Sequence, residues 1–166
     1  GKLNKFLGIT STRLNNNKLN SSIVFNDFTD WISGCGILIK SEIVKKIGLL
    51  DEKFFTYYED VDWSLRMKSL GYDLGFVKES IIYHHGSSSS KNKKTKEGVI
   101  SSKIHYFNIR NHILLLKKHK NLFNFFGIVF FQIIKTTSYI FYFLIKFRFN
   151  KLTMVLKGLK HGLNNK

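Results

Sequence analysis

Proline is absent from the 166 residues, and cysteine occurs once, as Cys35. A single thiol excludes an intrachain disulfide, so the fold is not a disulfide-stapled one, and a reducing compartment is compatible with it. The missing proline accompanies a hydrophobic content of 43% and an aromatic content of 15%, with 16 Phe. That composition is too apolar for a disordered chain and richer in Phe than a water-facing domain requires. Gly1 to Lys5 lead into no apolar run long enough for a signal peptide. Gly1 standing where an initiator Met would be leads us to expect further residues upstream. An uninterrupted apolar stretch of roughly 20 residues is also lacking: the run from Asn121 to Ile134 stops at Lys135, and Lys146 breaks the apolar segment beyond it. A clean transmembrane helix is not expected.

Acidic residues are nearly missing from one half of the chain. Residues 1 to 90 carry eleven Lys or Arg against ten Asp or Glu, whereas residues 91 to 166 carry sixteen Lys or Arg and only Glu97 in opposition. The net charge of +16 therefore belongs to the second half. A basic half of this kind suits nucleic acid by charge alone, but its positive residues flank an apolar helix and form no recognised nucleic-acid module, so no nucleic-acid partner is expected. The length suits one domain with its own core, and the composition divides it into 1–90, 91–120 and 121–166.

Residues 11 to 22 are polar turn formers and read as a surface loop. Gly36-Ile37-Leu38-Ile39 reads as a short strand, Ser41 as the N-cap of a helix over 42–47, and Gly48 as its end. A second helix is expected from Asp60 to Leu70, with acids first, bases later, Gly71 at its cap, and Asp62 one turn from Arg66. Residues 73–77 and 80–84 read as strands, Gly86 to Lys96 as a basic linker or active-site loop, and Ile104 to His119 as a helix with a basic face. In the last apolar stretch Gln132, Lys135, Tyr139, Tyr142 and Lys146 recur every three or four residues. One narrow polar stripe along a Phe- and Ile-covered helix is the pattern of a helix lying in the plane of a membrane. Strands alternating with helices in the first half imply an α/β sandwich.

Glu59, Asp60 and Asp62 lie within four residues, directly after the aromatic run Phe54-Phe55-Thr56-Tyr57-Tyr58. Spacing alone leaves two readings open. Acids at a helix N-terminus are stabilised by the helix dipole and need no function; a carboxylate against an apolar wall can instead accept a proton from a hydroxyl nucleophile. Taken by residue type alone, Trp31 reads as core filler and Arg110-Asn111 as a pair on a helix surface.

The order Trp31-Ile32-Ser33-Gly34-Cys35-Gly36, Gly48-Leu49-Leu50-Asp51-Glu52-Lys53-Phe54-Phe55, Tyr58-Glu59-Asp60-Val61-Asp62-Trp63-Ser64-Leu65-Arg66, Gly71-Tyr72 and Tyr83-His84-His85-Gly86 is similar to the second half of family 2 glycosyltransferases, especially the rhamnosyltransferase-like bacterial members. Tyr106-Phe107-Asn108-Ile109-Arg110-Asn111 and Lys157-Gly158-Leu159-Lys160-His161-Gly162-Leu163 resemble that subgroup's tail.

The resemblance implies the C-terminal half of a GT-A (Rossmann-like) α/β sandwich, followed by basic, Phe-rich amphipathic helices. It implies an inverting transfer from a nucleotide-diphosphate sugar to a saccharide or lipid-linked saccharide in bacterial surface polysaccharide synthesis. Asp60 would be the base, Glu59, Trp31 and Gly34 would meet the acceptor, and His84 would help to hold a divalent metal, Mn2+ or Mg2+. The family's N-terminal nucleotide-binding region and its Asp-x-Asp metal motif have no counterpart here, Asp27 and Asp30 being wrongly spaced. This chain alone is therefore expected to be inactive. Anionic membrane on the inner face of the plasma membrane is the expected surface, with the enzyme cytoplasmic and peripheral. The alternatives are a non-catalytic basic membrane-binding module and an inactive truncated remnant.

Overall fold

A computed structural model describes residues 1–12, 28–77, 80–83, 91–95 and 97–164. Three antiparallel strand pairs lie among them: β1 (Lys2–Asn4) with β2 (Ile9–Ser11), β3 (Phe28–Thr29) with β4 (Leu74–Gly75), and β5 (Lys91–Thr95) with β6 (Gly98–Ile100). Lys2 faces Ser11, Phe28 faces Gly75, and Lys91 faces Ile100 across these pairs. The helices are α1 (Ser41–Ile47), α2 (Glu59–Ser69), α3 (Ser102–Lys118), α4 (Phe125–Ile145) and α5 (Phe149–Asn164), with a single 3-10 turn at Lys120–Leu122.

The helices stand near where periodicity puts them, and the strands depart from it. Gly36 to Ile39 form no strand, and Leu38 is wholly exposed. Residues 80–83 likewise pair with no strand among the described residues. Part of the expected linker pairs instead as β5. Gly98, with φ of 93°, makes the turn into β6. Ser41 is the first helical residue rather than the cap; Lys40 holds the cap position and offers no side-chain bond. The last apolar stretch forms α4, which ends at Ile145, and Phe147 in the left-handed region (φ 52°) parts it from α5.

Two apolar clusters hold the fold. Trp31, Phe54, Val61 and Leu65 pack with Leu115, Leu116 and Phe123, so this core straddles the composition break near Ser90. Ile109, Ile113, Phe143 and Val155 join α3, α4 and α5 in the second. Close approach of α5 to α3 depends on Gly158 and Gly162, one turn apart. A Cβ on Gly158 would stand 2.7 Å from the Tyr106 carbonyl oxygen, and one on Gly162 would meet Ile113 at 3.0 Å. Glu97, the lone acid of the basic half, caps α5: its carboxylate accepts the N–H groups of Asn150 and Lys151 at 3.1 Å.

The polar stripe of α4 is split: Gln132, Lys135 and Tyr139 turn toward the domain, whereas Tyr142 and Lys146 are exposed. Gln132 and Lys135 each reach His112 Nδ1 on α3 at 2.9 Å, and His112 Nε2 donates to the Gly8 carbonyl at 2.7 Å, which fixes the neutral tautomer. Burial foremost, with the charge of Lys135 beside it, pulls His112 down to about 3. Gly158→Val is expected to lose about 1–3 kcal/mol of stability, because the clashing atom is backbone and α5 must move off α3. Chemical unfolding followed by far-ultraviolet circular dichroism measures it.

Candidate functional site

The acidic segment enters α2 through a strained turn. Phe55, Tyr57 and Tyr58 have φ of 60°, 66° and 72°, a region that costs a residue with a side chain about 1–2 kcal/mol. The strain persists because the turn is held on three sides. Phe54 is almost fully buried in the first core. Tyr58 stacks on His112 with ring centroids 5.1 Å apart and planes within 6°. The third hold is the buried side chain of Asn111, whose Nδ2 donates to the carbonyls of Phe54, Thr56 and Tyr57 at 2.7, 2.6 and 3.0 Å. Arg110 fixes that amide's orientation by donating to its Oδ1 at 2.8 Å. Asn111 is thus neither on a helix surface nor in reach of solvent.

The turn separates the three acids. Asp62 points inward with no exposed surface; Arg66 Nε, Lys118 Nζ and His119 Nε2 surround it at 2.8–3.0 Å. Burial works to raise its pKa, but the bonds from His119 and Lys118 and the charges of Lys118 and Arg66 outweigh that and hold it below the usual carboxylate range. The expected Asp62–Arg66 pair is present. Arg66 also donates to the Ile47 and Leu49 carbonyls, and Trp63 Nε1 to that of Gly48 at 2.9 Å, which ties the end of α1 to α2. Asp62 is a structural anchor.

Asp60 faces the other way, into a cleft of about 850 Å3 lined by Trp31, Ser33, Gly34, Cys35, residues 56–61, the hairpin residues 10–12 and Asn108. Its Oδ2 accepts the Gly34 N–H at 3.0 Å and its Oδ1 the Val61 N–H at 2.8 Å. A carboxylate oxygen has two lone pairs, so each keeps one for a hydroxyl in the cleft. Glu59 lines the same cleft, and its buried Oε2 has no partner among the described residues. Burial, then the charge of Asp60, pushes the Glu59 carboxyl above its ordinary range despite an opposing bond from its own backbone.

Trp31 lies largely inside the first core, with Nε1 donating to the Lys2 carbonyl at 3.3 Å, and its remaining surface lines the cleft. Gly34 contributes its backbone N–H. The structure therefore brings together Trp31, Gly34, Glu59 and Asp60; His84 lies outside the described residues. Among the described residues no group of three or more His, Cys, Asp or Glu could hold a metal. Thr10, Ser11, Thr12 and Asn108 are cleft residues that the sequence does not announce. Asn108 and Asn111 sit in the segment 106–111 marked only by resemblance, and residues 10 and 11 carry no signal beyond being polar.

No family model matches the chain, and no solved structure matches it. Over 60 residues, 36% of this chain and 20% of the relative, it is 32% identical to the N-acetylglucosaminyl-diphospho-decaprenol L-rhamnosyltransferase of Mycobacterium tuberculosis. Over 85 residues, 51% of this chain and 29% of the relative, it is 30% identical to the dTDP-rhamnosyl transferase RfbF of Shigella flexneri. The chain thus matches between a fifth and a third of the length of these curated relatives. The likenesses relate it, in part, to glycosyltransferases.

The geometry leads to two expected outcomes. Asn111→Asp keeps the shape and removes the donor, leaving three carbonyls without their bond; a loss of about 3 kcal/mol is expected in thermal unfolding. For Glu59 the folded carboxyl holds its proton to higher pH than the unfolded one, so ionisation opposes folding, and stability falls as pH rises above the ordinary value of 4.5. Glu59→Gln should therefore melt at a higher temperature than the natural protein at pH 7, and the difference should vanish below that ordinary value.

Proposed function

We propose that the cleft is the acceptor side of a glycosyltransferase active site and that Asp60 is its general base. The observation that carries this reading is the seating of Asp60. A carboxylate fixed by two backbone N–H groups, with a lone pair left on each oxygen, faces an open cleft that Glu59 also lines, its buried Oε2 without a partner among the described residues.

In this reading the acceptor hydroxyl gives its proton to Asp60 as its oxygen attacks the anomeric carbon of the donor. The new glycosidic bond forms while the bond to the diphosphate breaks, and that electron pair leaves on the diphosphate, inverting the anomeric centre. Glu59, with its raised proton affinity, binds a second acceptor hydroxyl. The edge of Trp31 offers an apolar surface for the sugar ring. Gly34 acts through its N–H, which aims Asp60, and so is a positioning residue as well as a cleft wall.

The donor class follows the relatives' names: a nucleotide-diphosphate sugar, with a dTDP-linked rhamnose the first to try and a saccharide on a lipid diphosphate as acceptor. The described residues form no divalent-metal site, so the Mn2+ or Mg2+ expected from the family carries no step here, and His84 keeps only the role implied by resemblance. The nucleotide sugar needs a binding region that the described residues do not supply. An acceptor of this kind belongs to surface polysaccharide synthesis on the cytoplasmic side of a bacterial membrane.

Asp60→Asn tests the reading. It preserves the acceptor lone pair toward Gly34 but removes the base, and transfer of labelled sugar in membranes of cells producing the protein is expected to fall about 10²- to 10⁴-fold. Near-normal transfer would take Asp60 out of the mechanism.

A further inference from the structure

The strongest unexplained feature outside the cleft is the outer face of α4. This helix of 21 residues, about 32 Å long, is long and apolar enough to cross a membrane. It does not stand free. Gly127, Thr136 and Phe143 are buried against the domain, and a Cβ on Gly127 would meet the Phe6 carbonyl at 2.1 Å. The one charged side chain within α4, Lys135, turns inward to His112. A helix crossing a bilayer alone would have lipid on every side, whereas this one sets Gly127, Thr136 and Phe143 against the domain.

The opposite flank is bare. Phe126, Phe130, Ile133, Phe141 and Ile145 are exposed by 80, 62, 61, 61 and 69%. No charge interrupts the flank, but exposed lysines bracket it: Lys5, whose carbonyl accepts the N–H of the α4 cap Asn124, and Lys120 at one end, and Lys146 at the other. Exposed Phe6 and Phe147 lie beside these lysines.

We propose that the outer flank of α4 is a docking surface for an anionic lipid bilayer, with the helix lying in the membrane plane and its lysines among the headgroups. Charge selects the occupant. A second copy would bring the same lysines against these, whichever way the helices ran, while an anionic headgroup neutralises them. A protein partner of ordinary kind would require about one hydrogen bond per 100–200 Å2, and this flank offers little beyond the hydroxyls of Thr137, Ser138 and Tyr142. Apolar side chains at each turn, entering about 5–10 Å, match the acyl boundary instead. The Phe and Ile face read from the sequence keeps its place toward lipid, while Gln132 and Lys135 of the polar stripe turn to the inner seam. Membrane docking stands independently of the transfer chemistry.

Flotation of the full chain with vesicles tests it. The natural protein should float with vesicles of phosphatidylcholine mixed with phosphatidylglycerol and bind less as salt rises. The triple variant Phe126→Ser, Phe130→Ser, Ile133→Ser should lose at least about tenfold in bound fraction while melting where the natural protein melts, since the three side chains touch solvent. Lys120→Glu with Lys146→Glu should abolish the preference for phosphatidylglycerol. Three results would overturn the proposal: no flotation of the natural protein with either vesicle, unchanged flotation of the triple variant, or a dimer in solution that the triple variant dissociates while neither protein binds vesicles.

Discussion

The turn that leads into α2 depends on one primary amide. The Asn111 Nδ2 group, with two hydrogens, serves three carbonyls in the turn that delivers Glu59 and Asp60, and three of that turn's four residues from Phe55 to Tyr58 sit where L-residues are strained. A strained turn ahead of a helix reverses the usual order of local structure, because its conformation is dictated by a residue more than fifty positions later. The gain is direction. In the left-handed region at Tyr58, α2 starts at an angle that sends Asp60 to the cleft and Asp62 into the interior, two residues and roughly half a turn apart.

That division of labour explains why three acids so close together coexist. Asp62 is compensated by two cations and a histidine inside the fold, so its charge is satisfied without reference to the cleft. Among the described residues Asp60 receives only backbone dipoles, which position it and leave its lone pairs available. Glu59, just before them, has no partner for Oε2 among the described residues, and burial together with the charge of Asp60 makes its carboxyl hold its proton more tightly. A salt bridge at Asp60 would have consumed the lone pairs a hydroxyl needs, whereas backbone contacts fix the carboxylate and still leave it open to the cleft.

The sequence made much of this legible, and what it hid has physical causes. Helix positions followed from apolar spacing and from Gly48 and Gly71. The association of the Trp31–Gly34 loop with Asp60 followed from resemblance, and the two meet at 3.0 Å. Asp62 could not be told from Asp60 by spacing, since the backbone turn that parts them has no glycine to announce it. Asn111 reads as an ordinary polar residue of a basic helix face; only its three acceptors, all remote in sequence, reveal a buried pin. The runs at 36–39 and 80–83 find no strand partner among the described residues. The boundary drawn at Ser90 by charge did not mark where the core ends, because Leu115 and Leu116 complete the cluster around Phe54.

The α4 stripe shows why periodicity fixes a helix face but not what that face meets. Gln132, Lys135 and Tyr139 define one side unambiguously, and in a water-soluble amphipathic helix the polar side is the wet side. Here α3 offers His112, a buried imidazole whose Nδ1 needs a donor, and Gly8 closes its other nitrogen. With Gln132 Nε2 and Lys135 Nζ bonded at this seam, the opposite circumference carries no polar duty to the core and is apolar and outward. Lys135 is penalised for its place: burial draws its ammonium down to about 8, a cost that an outward lysine would not bear. The seam also joins α4 to the acidic turn through two contacts, Lys135 to His112 and His112 to Tyr58, the residue immediately before Glu59. His112 thus touches both α4 and the strained residue Tyr58, whereas the bonds that seat Asp60 run to the backbone of Gly34 and Val61.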